Sequence, residues 1–289
     1  MNKIIHLFAM IILTIITLNI INHAVKTEES FTYFPPDKDA TFHSANTSLT
    51  LTGETNNGYA ILWKADSILD RKAYLRQDIS FLYANGILIG TMGREWKQEA
   101  DTIQLDKKIL QQDSANFNAI SFHHAELHSN GKITSTQRMT HDELYVLFSK
   151  YAPLVSFRQP KGKEEKEWKF VIDQLIEERL NNSLQKAEKS FNINKEQYTV
   201  FPLTDMYQFE DSSLPGFNKQ ETKKLLGRLW EGMYKNYLLG IKKTDGTTVD
   251  PIGSTIPLIL IANDQSHLFV ISELKNGEAM ILKQQIPAH

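Results

Sequence analysis

The run Phe122-His-His-Ala-Glu-Leu-His128 concentrates the most chemically versatile side chains of this sequence. On a strand side chains alternate, so His124, Glu126 and His128 project from one face, about 7 Å from one to the next. Two imidazoles and a carboxylate are a recurring ligand set for zinc or another divalent ion. A metal-dependent hydrolase of envelope material is the activity such a centre would serve. The same face also carries Ile120 and Phe122 and is apolar at one end, and His128 falls at a turn, so hydrogen-bonded or solvated histidines are the default. The opposite parity, Ser121, His123, Ala125 and Leu127, offers a single histidine. His141 and His267 could add ligands only if the fold brings them near.

Other patterns are weaker. Ser183-Leu-Gln-Lys186 has the Ser-x-x-Lys spacing of acyl enzymes, but it sits in a polar helical stretch and lacks the companion Lys-Thr-Gly motif, which Lys243-Thr-Asp-Gly246 matches only loosely. There is no phosphate loop, dinucleotide fingerprint, His-Glu-x-x-His or Gly-x-Ser-x-Gly. The chain has no cysteine, which excludes disulfides, thiolate metal sites and lipidation at an N-terminal cysteine. A divalent metal is the one cofactor the residue types suggest, and an enzyme is less favoured than a binding protein.

The elements that must position these residues are legible from turn signals. Four Asn-Gly dipeptides, Asn57-Gly58, Asn85-Gly86, Asn130-Gly131 and Asn276-Gly277, each join β-rich runs, and Asn-Gly readily takes the positive φ angles of a type I′ hairpin turn. They predict hairpins pairing 48–52 with 59–63, 79–83 with 87–91, 119–128 with 132–136, and 267–271 with 279–283, with a further strand over 255–262. Thr140 followed by Glu143 is a capping-box signature and predicts a helix through Leu144, Val146, Leu147 and Phe148. The apolar residues Trp168, Ile172, Leu175, Ile176, Leu180, Leu184, Ala187 and Phe191 form one stripe of a long helix over about 164–190. A third helix, capped by Asn218, is expected over about 219–239 with a wide apolar face from Leu225 to Leu238. The loop 244–257, rich in Gly, Pro and Asp, reads as a surface connection.

The fold class expected is therefore α+β: an antiparallel sheet built from hairpins, packed with two long amphipathic helices and preceded by one N-terminal transmembrane helix. That helix comes from Lys3 and the 18 residues Ile4 to Ile21, which are mainly apolar and just long enough to span a bilayer. Its length favours an uncleaved signal anchor over a removed signal peptide, with the N-terminus cytoplasmic and the remainder outside; secretion after cleavage is the alternative. The expected organisation is an anchor at 1–24, a juxtamembrane linker at 25–47 and an extracytoplasmic domain at 48–289, with a possible subdivision near 155. The formal charge of −2 and the mixed run 161–169 argue against nucleic acid as a partner. These observations favour a non-enzymatic binding or regulatory ectodomain at the cell membrane, with an envelope or membrane protein as partner. The alternatives are the hydrolase above and a structural subunit whose face Leu225 to Leu238 packs on a neighbour.

Overall fold

In the computed structural model, which describes residues 32–243 and 247–286, one strand organises the chain. β2 (Gly58–Ala84) is 27 residues long, and over its first half buried and open side chains alternate with the period of two that a half-buried strand requires. That half pairs antiparallel with β1 (Phe42–Thr55) on one edge, from Thr55 opposite Gly58 to Phe42 opposite Leu69. β3 (Ile87–Met92) and β4 (Lys97–Gln111) return along the other edge, opposite Ser80–Ala84 and Tyr59–Arg76. The second half of β2 pairs with β5 (Ala115–Ser129), followed by β6 (Lys132–Ser149) and β7 (Ala152–Phe157), completing a seven-stranded sheet.

Between Ile68 and Ala73 the β2–β4 register slips. The inward residues of β2 thereby change parity, from Tyr59, Ile61, Trp63 and Ser67 to Arg76, Asp78, Ser80 and Leu82. The strand folds over itself there: Trp63 Nε1 donates to Ser80 Oγ at 3.1 Å, and a Cβ at Gly90 would lie 3.1 Å from the Trp63 ring. Leu49, Ile61, Trp63, Leu82, Phe117, Leu144 and Val146 share the resulting core, each fully buried aliphatic side chain contributing about 1.5–3 kcal/mol. The sheet is thus curled almost into a barrel.

A second sheet has the order β13-β12-β11-β8, from β8 (Tyr198–Pro202), β11 (Leu258–Ala262), β12 (His267–Glu273) and β13 (Ala279–Gln285); β9 (Ile241–Lys242) and β10 (Thr248–Val249) form a small separate ladder. α1 (Lys163–Phe191) covers one face of this sheet, with Leu180, Leu184 and Ala187 on Leu258, Leu260 and Ile271. α2 (Lys219–Met233), extended by a π-helical turn at Tyr234–Leu238, is wedged between the sheets. Its Trp230 stacks on Phe122 and Phe81 of the large sheet at 5.0 and 5.6 Å, while a Cβ at Gly232 would lie 3.5 Å from the Gln284 side chain of the small one. The loop before β11 ties the sheets together: Leu88 N–H donates to Ser254 O at 2.8 Å and Ile256 N–H to Gly86 O at 2.9 Å.

This corrects the expected α+β class. The described residues are mostly β, 52% strand against 23% helix, and the helices do not pair on a hairpin sheet; one is enclosed between two sheets and the other lies outside the smaller. The helix expected from Thr140 is part of β6. Leu144 and Val146 point into the core on one side and Tyr145 lies on the other, a period of two rather than 3.6, and the Thr140 hydroxyl is engaged by His123 and Thr47 instead of a helix terminus. The expected transmembrane helix at 1–24 lies outside the described residues; among those, no helix is long and apolar enough to cross a membrane.

The described residues belong to one compact unit that begins at Thr32, so much of the stretch read as a linker is part of the domain. Residues 33–40 strap across β6 and α2. Ser135 N–H donates to Pro35 O at 2.9 Å, Asp37 N–H to Ser135 O at 2.7 Å, and Tyr33 N–H to Glu231 Oε2 at 3.3 Å. The Tyr33 ring lies on Gly227, where a Cβ would approach it to 2.1 Å, and burial pushes the Tyr33 hydroxyl up to about 12. Gly227→Ala should lift the strap, costing about 1–3 kcal/mol as overpacking does and returning one tyrosine toward an ordinary value near 10. Urea unfolding combined with ultraviolet titration of tyrosine reads both, and an unchanged midpoint would show that the strap yields without cost.

Candidate functional site

Of the residues singled out as metal ligands, Glu126 and His128 meet, but His124 does not join them. His124 is fully buried among aromatic rings, stacked on Phe122 at 6.2 Å and edge-on to Trp96 at 6.1 Å. Burial first, and then Arg76, lower its pKa to about 3. Glu126 is instead bonded to His128 Nε2 at 2.5 Å, and the His128 ring stacks on Tyr74 at 3.8 Å. Among the described residues no group of three or more His, Asp or Glu is arranged to hold a metal ion. His141 stacks on Tyr207 and bonds Asn118, and His267 bonds Tyr198. In the Ser-x-x-Lys pair, Ser183 is buried and Lys186 is ion-paired with Glu273 at 2.7 Å.

The histidine on the other parity has the more ordered surroundings. The β2–β5 register sets Asp78 directly opposite His123. His123 Nδ1 lies 2.6 Å from Asp78 Oδ2 and its Nε2 lies 2.8 Å from Thr140 Oγ1. Carboxylate, imidazole and hydroxyl in line form the arrangement by which acyl enzymes activate a nucleophile. Here it is sealed. The Asp78 and His123 side chains have no exposure, Thr47 Oγ1 sits 2.5 Å from the Thr140 hydroxyl, and Phe42 covers both His123 and Arg76. Ser67 donates to Asp78 Oδ2 at 2.7 Å, and Arg76 Nη2 donates to Ser67 at 2.5 Å and lies 3.6 Å from Asp78 Oδ1. Thr47, Ser121 and Ser80 extend the chain of hydroxyls to Trp63. This network pins β1 across β2, β5 and β6.

An accessible polar site lies elsewhere, in a cleft of about 520 Å³ walled by β5, β6, α1, β8, the 3-10 turn Leu203–Phe209 and the start of β11. Ile176, Leu180, Leu184, Val200 and Leu258 give it an apolar lining. Its polar groups are linked in sequence: Asn116 Nδ2 donates to Glu143 Oε1 at 2.7 Å, Tyr145 OH lies 3.1 Å from Glu143 and 2.6 Å from Asp173, and Lys169 Nζ reaches Tyr145 OH and Asp173 Oδ2 at 2.6 and 2.7 Å. Lys169 also lies over the Tyr145 ring, 4.5 Å from its centre. Desolvation, with the neighbouring Asp173 and Glu143, raises the Tyr145 pKa far above the phenol range. Asp205 is raised by desolvation and by Glu143. Among the described residues that line it, the cleft presents Glu143, Asp173, Glu177 and Asp205 against the single cation Lys169.

The sequence offered no local signal for this cleft, since its residues come from six elements spread over 116–258. The broad α2 face, which could have served a partner, is buried in the chain's own core: Leu225, Leu226, Leu229, Trp230, Met233, Tyr237 and Leu238 are each at most 4% exposed. Comparison with known proteins returns no significant match to any family model, curated protein or solved structure.

Proposed function

We propose that this chain is a non-enzymatic binding or regulatory domain, carried outside the cytoplasm at the cell membrane by its apolar N-terminal segment, and that it takes its ligand in the cleft between the large sheet and α1. The acid-rich cleft with an apolar lining carries this reading. Concave sites of a few hundred Å³, with apolar walls and a few convergent polar groups, are the usual form of a binding pocket. In the constellation with catalytic order among the described residues, Asp78 and His123 have no side-chain exposure and the Thr140 hydroxyl is held by both His123 and Thr47, which supports binding over catalysis. Four carboxylates facing one ammonium suit a ligand or partner segment that carries an amine. Trilysine titrated calorimetrically into residues 32–289 should bind saturably. Glu177→Gln with Asp205→Asn, both at exposed positions, should weaken it tenfold or more, the scale of a lost hydrogen bond to a charged group. No saturable binding, or binding indifferent to the pair of substitutions, would sink the assignment.

A further inference from the structure

A second cleft, of about 790 Å³, opens between the strap and the exposed side of α2. Lys38, Lys219, Lys223, Lys224 and Arg228 line it, and none of the five is ion-paired with a described residue. The one acid in the lining, Asp37, is turned into the strap's own backbone: its oxygens accept from the N–H groups of Asp39 and Ala40 and from Thr134 Oγ1 at 2.6 Å. The lysines are also unfavourably placed for the helix. Lys219 and Lys223 stand in the first turns of α2, near the positive end of its dipole, and both Lys219/Lys223 and Lys224/Arg228 are like-charged pairs four residues apart. Among the described residues no ion pair offsets that repulsion, and a dense anionic surface would.

The strap limits where this cleft can be. Tyr33 is fixed to α2 through Glu231 and Gly227, and it follows the end of the expected anchor at Ala24 by nine residues, a reach of about 30 Å at full extension. We infer that the basic cleft is a docking surface for an anionic lipid leaflet, holding the domain down on the bilayer. The inference rests on the membrane-anchor reading above for its setting, but the surface is testable without the anchor, because the compact unit from Thr32 contains every described core cluster.

Residues 32–289 are sedimented with vesicles of phosphatidylcholine alone and of phosphatidylcholine mixed equally with phosphatidylglycerol. Binding is expected to the mixed vesicles only, and to fall as salt rises. A basic residue near such a surface is worth about a fivefold gain in affinity. Lys219→Gln, Lys223→Gln and Lys224→Gln together should therefore lose about a hundredfold, whereas the same three-charge loss at Lys97, Lys107 and Lys108 on β4 leaves binding unchanged. Equal loss from both sets would reduce the effect to net charge and overturn the docking surface. Displacement by inorganic phosphate beyond that caused by sodium chloride at equal ionic strength would assign the cleft to free phosphate and overturn it too. Indifference of the domain to phosphatidylglycerol, with the full chain still sedimenting with membranes, would remove the docking surface and leave the anchor standing.

Discussion

Asp78→Ala is expected to cost about 3–5 kcal/mol of stability, the usual penalty for removing one partner of a buried ion pair. For a domain of this size that lowers the thermal midpoint by roughly 6–20 °C. The cause is the group left behind. Arg76 has no exposed side-chain surface and remains a cation, with Asp78 as the carboxylate closest to it; burial already lowers its pKa, and Asp78 is the main opposing charge. Removing Asp78 also takes the acceptor from Ser67 and His123. Arg76→Met combined with Asp78→Leu removes both charges and should recover much of the loss, since replacing a buried pair by apolar groups is often neutral. Differential scanning calorimetry of the single and double variants decides the matter. A double variant no better than Asp78→Ala would mean that the hydroxyls, not the charges, hold the network.

Stability is also expected to fall steeply as pH drops below about 6.5. His124 and His141 have folded pKa values lowered to about 3 and about 4, chiefly by burial. In the unfolded chain both take up a proton near pH 6.5, so from there downward the unfolded state binds more protons and gains. Each histidine contributes about 1.4 kcal/mol per pH unit in that window, roughly 2.7 together, until the folded values are reached. Asp205 and Glu210 act in the opposite sense, because their raised values let the folded state take up protons early and offset part of the loss toward the carboxylate range. Between pH 6 and 5 the histidines dominate. His141→Gln, able to keep the bond to Asn118, should halve the slope of unfolding free energy against pH measured with urea. An unchanged slope would show that His141 is protonated in the folded protein.

Much of the fold was written in local signals, and the failures have physical causes. At Asn85-Gly86 and Asn130-Gly131 both residues take positive φ, 48° and 80°, 51° and 75°, as a type I′ turn requires. At the first hairpin Thr55 pairs with Gly58, so Asn56-Asn57 makes the turn and Gly58 starts the strand. Asn218 caps α2 as expected, and Glu221 completes a capping box with it, whereas the box expected at Thr140 and Glu143 lies in β6. The length of β2 was hidden because Asp70, Arg71 and Lys72 interrupt its alternation at the bend. β4 was hidden because it is an edge strand that buries only Ile103 fully. The Asp78–His123 pairing follows from interstrand register, which no window of sequence contains, and reading β5 for one polar face missed that both of its faces are covered.

The 27-residue strand also sets an order of assembly. Its first half finds β1 through a short turn, and its far end finds β3 across Asn85-Gly86, so both are local events available early as the chain emerges. The edge from Leu75 to Ala84 must wait for residues 117–126 of β5, and closing that longer loop is the slower step. Until it happens the edge is an open template for another chain, and Arg76 and Asp78 stand at its start without His123. The arrival of β5 closes the edge and delivers that histidine in the same step, so the polar pin cannot be completed around a misregistered strand, and the interval before it is when nascent copies would cross-pair.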